Sequence, residues 1–167
     1  AGRHRGRGDA LDRRAPPGHV VNRPLDPPSI DGFSHVGWLG GGGFADVYLY
    51  NQHFPHRQVA VKVLREGVDS PEVRSLFESE ANLMAKVAEH PFIVTVHAVG
   101  TSGSGRPYLV MDYYRGSNYG QRMQDGEIDV AEVLSVGVKM AGAVEFAHRA
   151  GVVHRDIKSA NILANDF

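Results

Sequence analysis

VVHRDIKSANIL, residues 152–163, sets His154, Arg155, Asp156, Lys158 and Asn161 between apolar flanks. A loop that only joins two elements rarely needs an aspartate, a lysine and an asparagine at such fixed intervals. The segment ahead of it reads as a long helix. Asp129 with Glu132 makes a D-x-x-E start signal related to the capping box. Val130, Val133, Leu134, Gly137, Ala141 and Val144 then fall on one helical stripe, and Gly151 suits the end of the helix.

Further upstream, residues 115–127 form a polar connection with room for one short helix. Residues 93–99 and 107–113 are strand-like, on either side of a turn-rich stretch. Ser70 and Pro71 are a good N-cap and first helical residue, and Leu76, Phe77, Leu83, Met84 and Val87 follow at helical spacing. Before that helix come three short strands, over 33–39, 46–50 and 58–64, with the turn-like NQHFPHR between the last two. The expected order is a small, mostly antiparallel sheet with one helix, then the first long helix of a second unit.

Two features of that sheet need a reason. LGGGGFADV, residues 39–47, joins two strands; glycines let backbone approach a ligand closely, and successive N–H groups can cradle phosphate oxygens. A plain glycine-rich hairpin would read the same way. A strand, not a helix, follows it, which argues against a dinucleotide-binding βαβ unit. In VAVKVL, residues 59–64, Lys62 interrupts an apolar strand, with Ala60 and Leu64 on its own face and Val61 and Val63 on the other. Glu80 lies within the apolar stripe of the following helix. A buried carboxylate needs a cation, and Lys62 is the natural candidate; the alternative is a boundary glutamate.

Composition narrows the function. The 167 residues carry 18 basic and 19 acidic side chains, a formal net charge of -1, so no global field favours nucleic acid or a membrane surface. Cysteine is absent, which removes disulfides, thiolate zinc sites and cysteine nucleophiles, and fits a reducing compartment. No apolar run approaches the roughly 20 residues of a membrane helix. Residues 1–28, rich in Arg, Gly and Pro, are expected to be a disordered tail. Its Arg3, Arg5 and Arg7 would suit RNA or acidic partners, or simply water. His53 and His56 share a loop without further ligands and are expected to face solvent.

The ordered set GxGxxAxV, VAVK, helical Glu80, HPFIV, YLVMDY and HRDIKSAN resembles the protein kinases, and more narrowly the bacterial eukaryotic-like serine/threonine kinases. The similarity runs from about residue 30 to 167. It implies an α+β, protein kinase-like fold: a complete small N-lobe over 29–112, a five-stranded antiparallel sheet plus one helix, then a hinge and the beginning of a mainly helical C-lobe over 113–167. The resemblance also implies ATP, a magnesium ion and a protein substrate with a serine or threonine acceptor, in the cytoplasm. Leu39, Gly40, Gly41, Gly42, Gly43, Phe44 and Ala45 would cover the ATP phosphates. Lys62 would contact them while paired with Glu80. Val47, Ala60 and Leu163 would sandwich adenine, with Met111 as gatekeeper and Asp112 to Tyr114 as hinge. Asp156 would orient and deprotonate the acceptor hydroxyl, Lys158 would neutralise γ-phosphate charge, and Asn161 would hold magnesium. Lys158 favours serine/threonine over tyrosine specificity. Asn118 stands where related kinases often place an acid against the ribose.

The final ILANDF poses one question, whether Asp166 opens a metal-binding Asp-Phe-Gly. It stands five residues past Asn161, and an extended run at ~3.3 Å per residue would carry it roughly 16 Å away. A return to the same metal needs a hairpin. The expectation is therefore a chain that stops before that motif and lacks catalytic competence alone; a parent protein could carry a membrane segment beyond residue 167. The absence of an initial Met points the same way at the other end. The competing reading is a non-catalytic nucleotide-binding or regulatory half-kinase.

Overall fold

Period-two alternation and turn chemistry build the sheet, and the computed structural model describes it within residues 25–67 and 70–164. The strands are β1 (Phe33–Gly41), β2 (Ala45–Gln52), β3 (Arg57–Leu64), β4 (Val96–Thr101) and β5 (Pro107–Asp112). They form one antiparallel sheet in the order β1-β2-β3-β5-β4. The helices are α1 (Pro71–Val87), α2 (Tyr119–Gln124) and α3 (Val130–Arg149), and a 3-10 turn covers Ser159–Asn161.

β3 is central and covered on both faces, which explains its nearly unbroken apolar run. Val59, Val61 and Val63 pack with Tyr48, Tyr50, Val110 and Ile30 on one face. Leu64 packs with Leu109, Phe77 and Ala81 on the other, beneath α1. Lys62 lies opposite Val47 on β2 and Leu109 on β5, on the α1 face.

Ser70 caps α1 as expected, its hydroxyl accepting from the Val73 N–H at 3.3 Å. The stripe that meets the sheet differs from the expected one. Phe77, Ala81 and Val87 are buried, whereas Leu76 is 70% exposed. Ala81, too small to register as part of an apolar stripe, lets the helix lie close to the strands.

β4 starts at Val96, not at 93, because residues 90–93 close a turn at the end of α1, with the Ile93 N–H donating to the His90 carbonyl. The His90 ring also lies 5.2 Å from that of Phe146, joining this turn to α3. Asp129 caps α3 by accepting from the Glu132 N–H at 2.7 Å. The reciprocal arm of a capping box is absent: the Glu132 carboxylate accepts instead from Arg122 and Tyr119.

The tail expected to be disordered through residue 28 is held from residue 25. Tyr48 and Tyr50 donate their hydroxyls to the carbonyls of Leu25 and Pro28 at 2.6 and 2.7 Å, and Arg106 donates to that of Asp26 at 3.0 Å. Ile30 is buried on the same face. Residues 1–24, with the Arg-Gly stretch, and residues 165–167, with Asp166, lie outside the described residues.

Candidate active site

The α1 face of the sheet, the connection after β5 and the segment after α3 enclose a cleft of about 990 Å³. Its roof is the β1–β2 turn, Gly40 to Gly43 with Phe44, and its walls include Val47, Ala60 and Met111, with Asn161 and Leu163 completing the lining. The Gly42 N–H is engaged within the turn, donating to the Ala45 carbonyl at 2.9 Å. The row of free N–H groups expected there is therefore interrupted at that residue.

Lys62 projects into this cleft from β3 and donates to both carboxylate oxygens of Glu80 on α1, at 2.6 and 2.7 Å. The pairing is the expected one, but burial is not its cause. The side chains are 26% and 47% exposed, so Glu80 faces the cleft and not the core. The ring of Phe77 lies beneath the ammonium, 6.0 Å away at its centroid.

After Gly151, whose φ of +74° ends α3, the chain makes a strained passage. Arg155 has φ +63°, the one non-glycine residue in the left-handed region among those described. The Asp156 N–H donates to His154 Nδ1 at 3.2 Å. Asn161 then reaches back and donates its amide to the Asp156 backbone carbonyl at 2.8 Å and to Oδ2 at 3.0 Å. Lys158 Nζ lies 2.8 Å from the same Oδ2. Lys158 first, then Asn161, holds the Asp156 carboxyl below the usual aspartate range. Asp156 and Lys158 do not line the cavity; they join it through Asn161.

The floor is stitched to the connection after β5. The Tyr119 N–H donates to the Ile162 carbonyl at 2.9 Å, and Asn118 bridges Leu163. Asn118 is committed as the N-cap of α2, its Oδ1 accepting from the Gln121 N–H. A ribose contact from this side chain would compete with that cap.

The cleft fits a nucleotide: glycine backbone above, apolar walls, and an ammonium at the inner end. For magnesium, Asn161 spends its amide hydrogens on Asp156, which leaves its amide oxygen for a hard cation. Among the described residues no cluster of three or more acidic or histidine side chains could hold a metal by itself. An ion here fits only where phosphate oxygens complete its shell, the usual arrangement for magnesium at a nucleotide.

A family model described as the protein kinase domain matches residues 33–166. The chain belongs to the protein kinase family. It is 43% identical over 137 residues to the serine/threonine-protein kinase PknK of Mycobacterium tuberculosis, covering 81% of this chain and 12% of that protein. To the serine/threonine-protein kinase PknB of Mycobacterium leprae it is 36% identical over 130 residues, covering 75% of this chain and 21% of that protein. The crystal structure of the Mycobacterium tuberculosis PknI kinase domain superimposes with a TM-score of 0.67 at 33% identity, over 82% of this chain and 57% of the other. The chain thus spans 12% to 21% of the length of these two curated relatives.

Two pairings at or beside this kinase cleft are not given by the motif series. Asp112 at the end of β5 is held by His97 of β4 at 2.7 Å. Asp46 is fully buried beside the glycine turn and paired with Arg65. A signal for the second existed. Asp46 alternates in phase with Tyr48 and Tyr50, so it belongs to a buried face and needs a cation, and Arg65 is the first residue after β3.

Proposed function

We propose that this chain forms the nucleotide cleft and catalytic loop of a protein kinase that transfers the γ-phosphate of ATP to serine or threonine hydroxyls of proteins. The observation that carries it is the Lys62–Glu80 pair standing in the same cleft as Asn161, which is bonded to Asp156.

Phosphoryl transfer asks the protein mainly for alignment and charge compensation. The glycine turn covers the phosphates, and Val47, Ala60 and Leu163 hold the base between apolar surfaces, with Met111 at the back and Asp112 to Tyr114 along its edge. Glu80 fixes Lys62 so that its ammonium meets the α- and β-phosphates without searching for a rotamer. Asp156, kept ionised by Lys158 and Asn161, accepts the proton of the acceptor hydroxyl. Lys158 is then near enough to offset charge on the transferred group. Asn161, with phosphate oxygens, would hold magnesium, which supplies further charge neutralisation. No helix among the described residues is long and apolar enough to cross a membrane. A cysteine-free sequence that uses ATP suits the cytoplasm.

Calorimetric titration of the chain with magnesium and a non-hydrolysable ATP analogue tests the cleft. Lys62→Met should weaken binding by about tenfold or more. It should barely move the melting temperature, because a pair this exposed contributes only about 0–1 kcal/mol to stability. A chain with no affinity for the analogue, or equal affinity in the variant, contradicts the proposal.

A further inference from the structure

The glycine turn of the cleft has no charged side chain between Leu39 and Ala45, yet one residue outside it touches three of its parts. Arg65 donates its backbone N–H to the Phe44 carbonyl at 2.8 Å. Its guanidinium grips the Asp46 carboxylate with both arms, Nε to Oδ2 at 2.9 Å and Nη2 to Oδ1 at 2.7 Å. Asp46 in turn presses against Gly41, where a Cβ would overlap the carboxylate oxygen. The outgoing limb, the tip and the return limb of the turn are all referred to Arg65.

Two simpler uses do not suit this pair. Neither Arg65 nor Asp46 lines the cleft, so the guanidinium does not serve as a phosphate ligand. Stability alone is a poor reason for a buried ion pair, since an apolar pair of similar volume usually packs as well or better. A bidentate fork supplies something an apolar pair does not, a fixed direction. We infer that Arg65 and Asp46 are positioning residues that set the height of the glycine turn above the nucleotide. This rests on the cleft being the ATP site. Their effect passes through the turn and does not reach Asp156, so it belongs to nucleotide affinity and not to the transfer step.

The test compares the natural protein with Asp46→Leu combined with Arg65→Met, an apolar pair of similar volume, and with Arg65→Lys, which keeps the charge but not the fork. Melting temperature, KM for ATP, kcat and hydrogen exchange over residues 39–45 are read in each. The expected result is a folded variant whose KM for ATP rises roughly tenfold with kcat held, and whose turn amides exchange faster. Arg65→Lys carries the same test where the double variant does not fold. A folded variant of either kind with unchanged KM and unchanged exchange overturns the inference. Lys62→Met runs alongside: if it leaves ATP binding intact, the ATP-site reading has failed, a result separate from failure of the clamp.

Discussion

In the proposed reaction Asp156 acts only as a carboxylate, and its neighbours decide at what pH that holds. Because Lys158 and then Asn161 favour the charged form, its pKa lies below the ordinary 3.8, and its acid limb should fall beneath that value. Lys158→Met removes the larger cause. The acid limb of kcat/KM should then move upward toward the ordinary aspartate value; a profile that stays in place would contradict the assignment. Tyr50 works in the opposite direction. Burial pushes its hydroxyl from 10.0 up to about 12. The folded pKa is the higher one, so Tyr50's contribution is whole below pH 10 and fades as pH rises toward about 12. Denaturant midpoints should fall across that interval, and Tyr50→Phe should flatten the fall.

At the scale of elements, the caps and the central strand were legible because their signals are local. Ser70 and Asp129 have their hydrogen-bond partners within three residues, and β3 announces itself by its valines. The start of β4 was not legible. Residues 93–95 have strand-forming side chains, but the turn at the end of α1 claims the Ile93 N–H, and only the Thr95 carbonyl reaches β5, accepting from the Asp112 N–H. The start signal at Asp129 and Glu132 held, but the partners of the Glu132 side chain, Arg122 and Tyr119, lie across a helix boundary and were not legible. At the site, the motif residues could be named from spacing and resemblance. The grip of His97 on Asp112 could not, because it depends on which strands are neighbours, whereas the clamp at Asp46 left a signal in the phase it shares with Tyr48 and Tyr50. Glu80 was paired correctly for the wrong reason, since helical phase places it near apolar residues while the opening of the cleft leaves it wet.

Across the whole molecule, the sheet separates two tasks. Its α1 face makes the cleft, and its other face is closed by residues 25–30, tied to Tyr48, Tyr50 and Arg106. The strap should therefore matter for stability and little for the nucleotide. A chain beginning at residue 31 loses buried Ile30 and three hydrogen bonds, and should melt clearly below one beginning at residue 25; Ile30→Ala alone should cost about 2–5 kcal/mol. Equal melting temperatures would show that the strap does not hold the fold. The cleft face carries the central claim, that this arrangement transfers phosphate through Asp156. The most direct measurement is transfer of labelled γ-phosphate from magnesium-ATP to protein serine and threonine by the natural protein and its Asp156→Asn variant, with analogue affinity measured in both. The account predicts unchanged affinity and a loss of transfer of about 10²–10⁴-fold. Transfer that survives in the variant, or that never occurs in the natural protein, would contradict it.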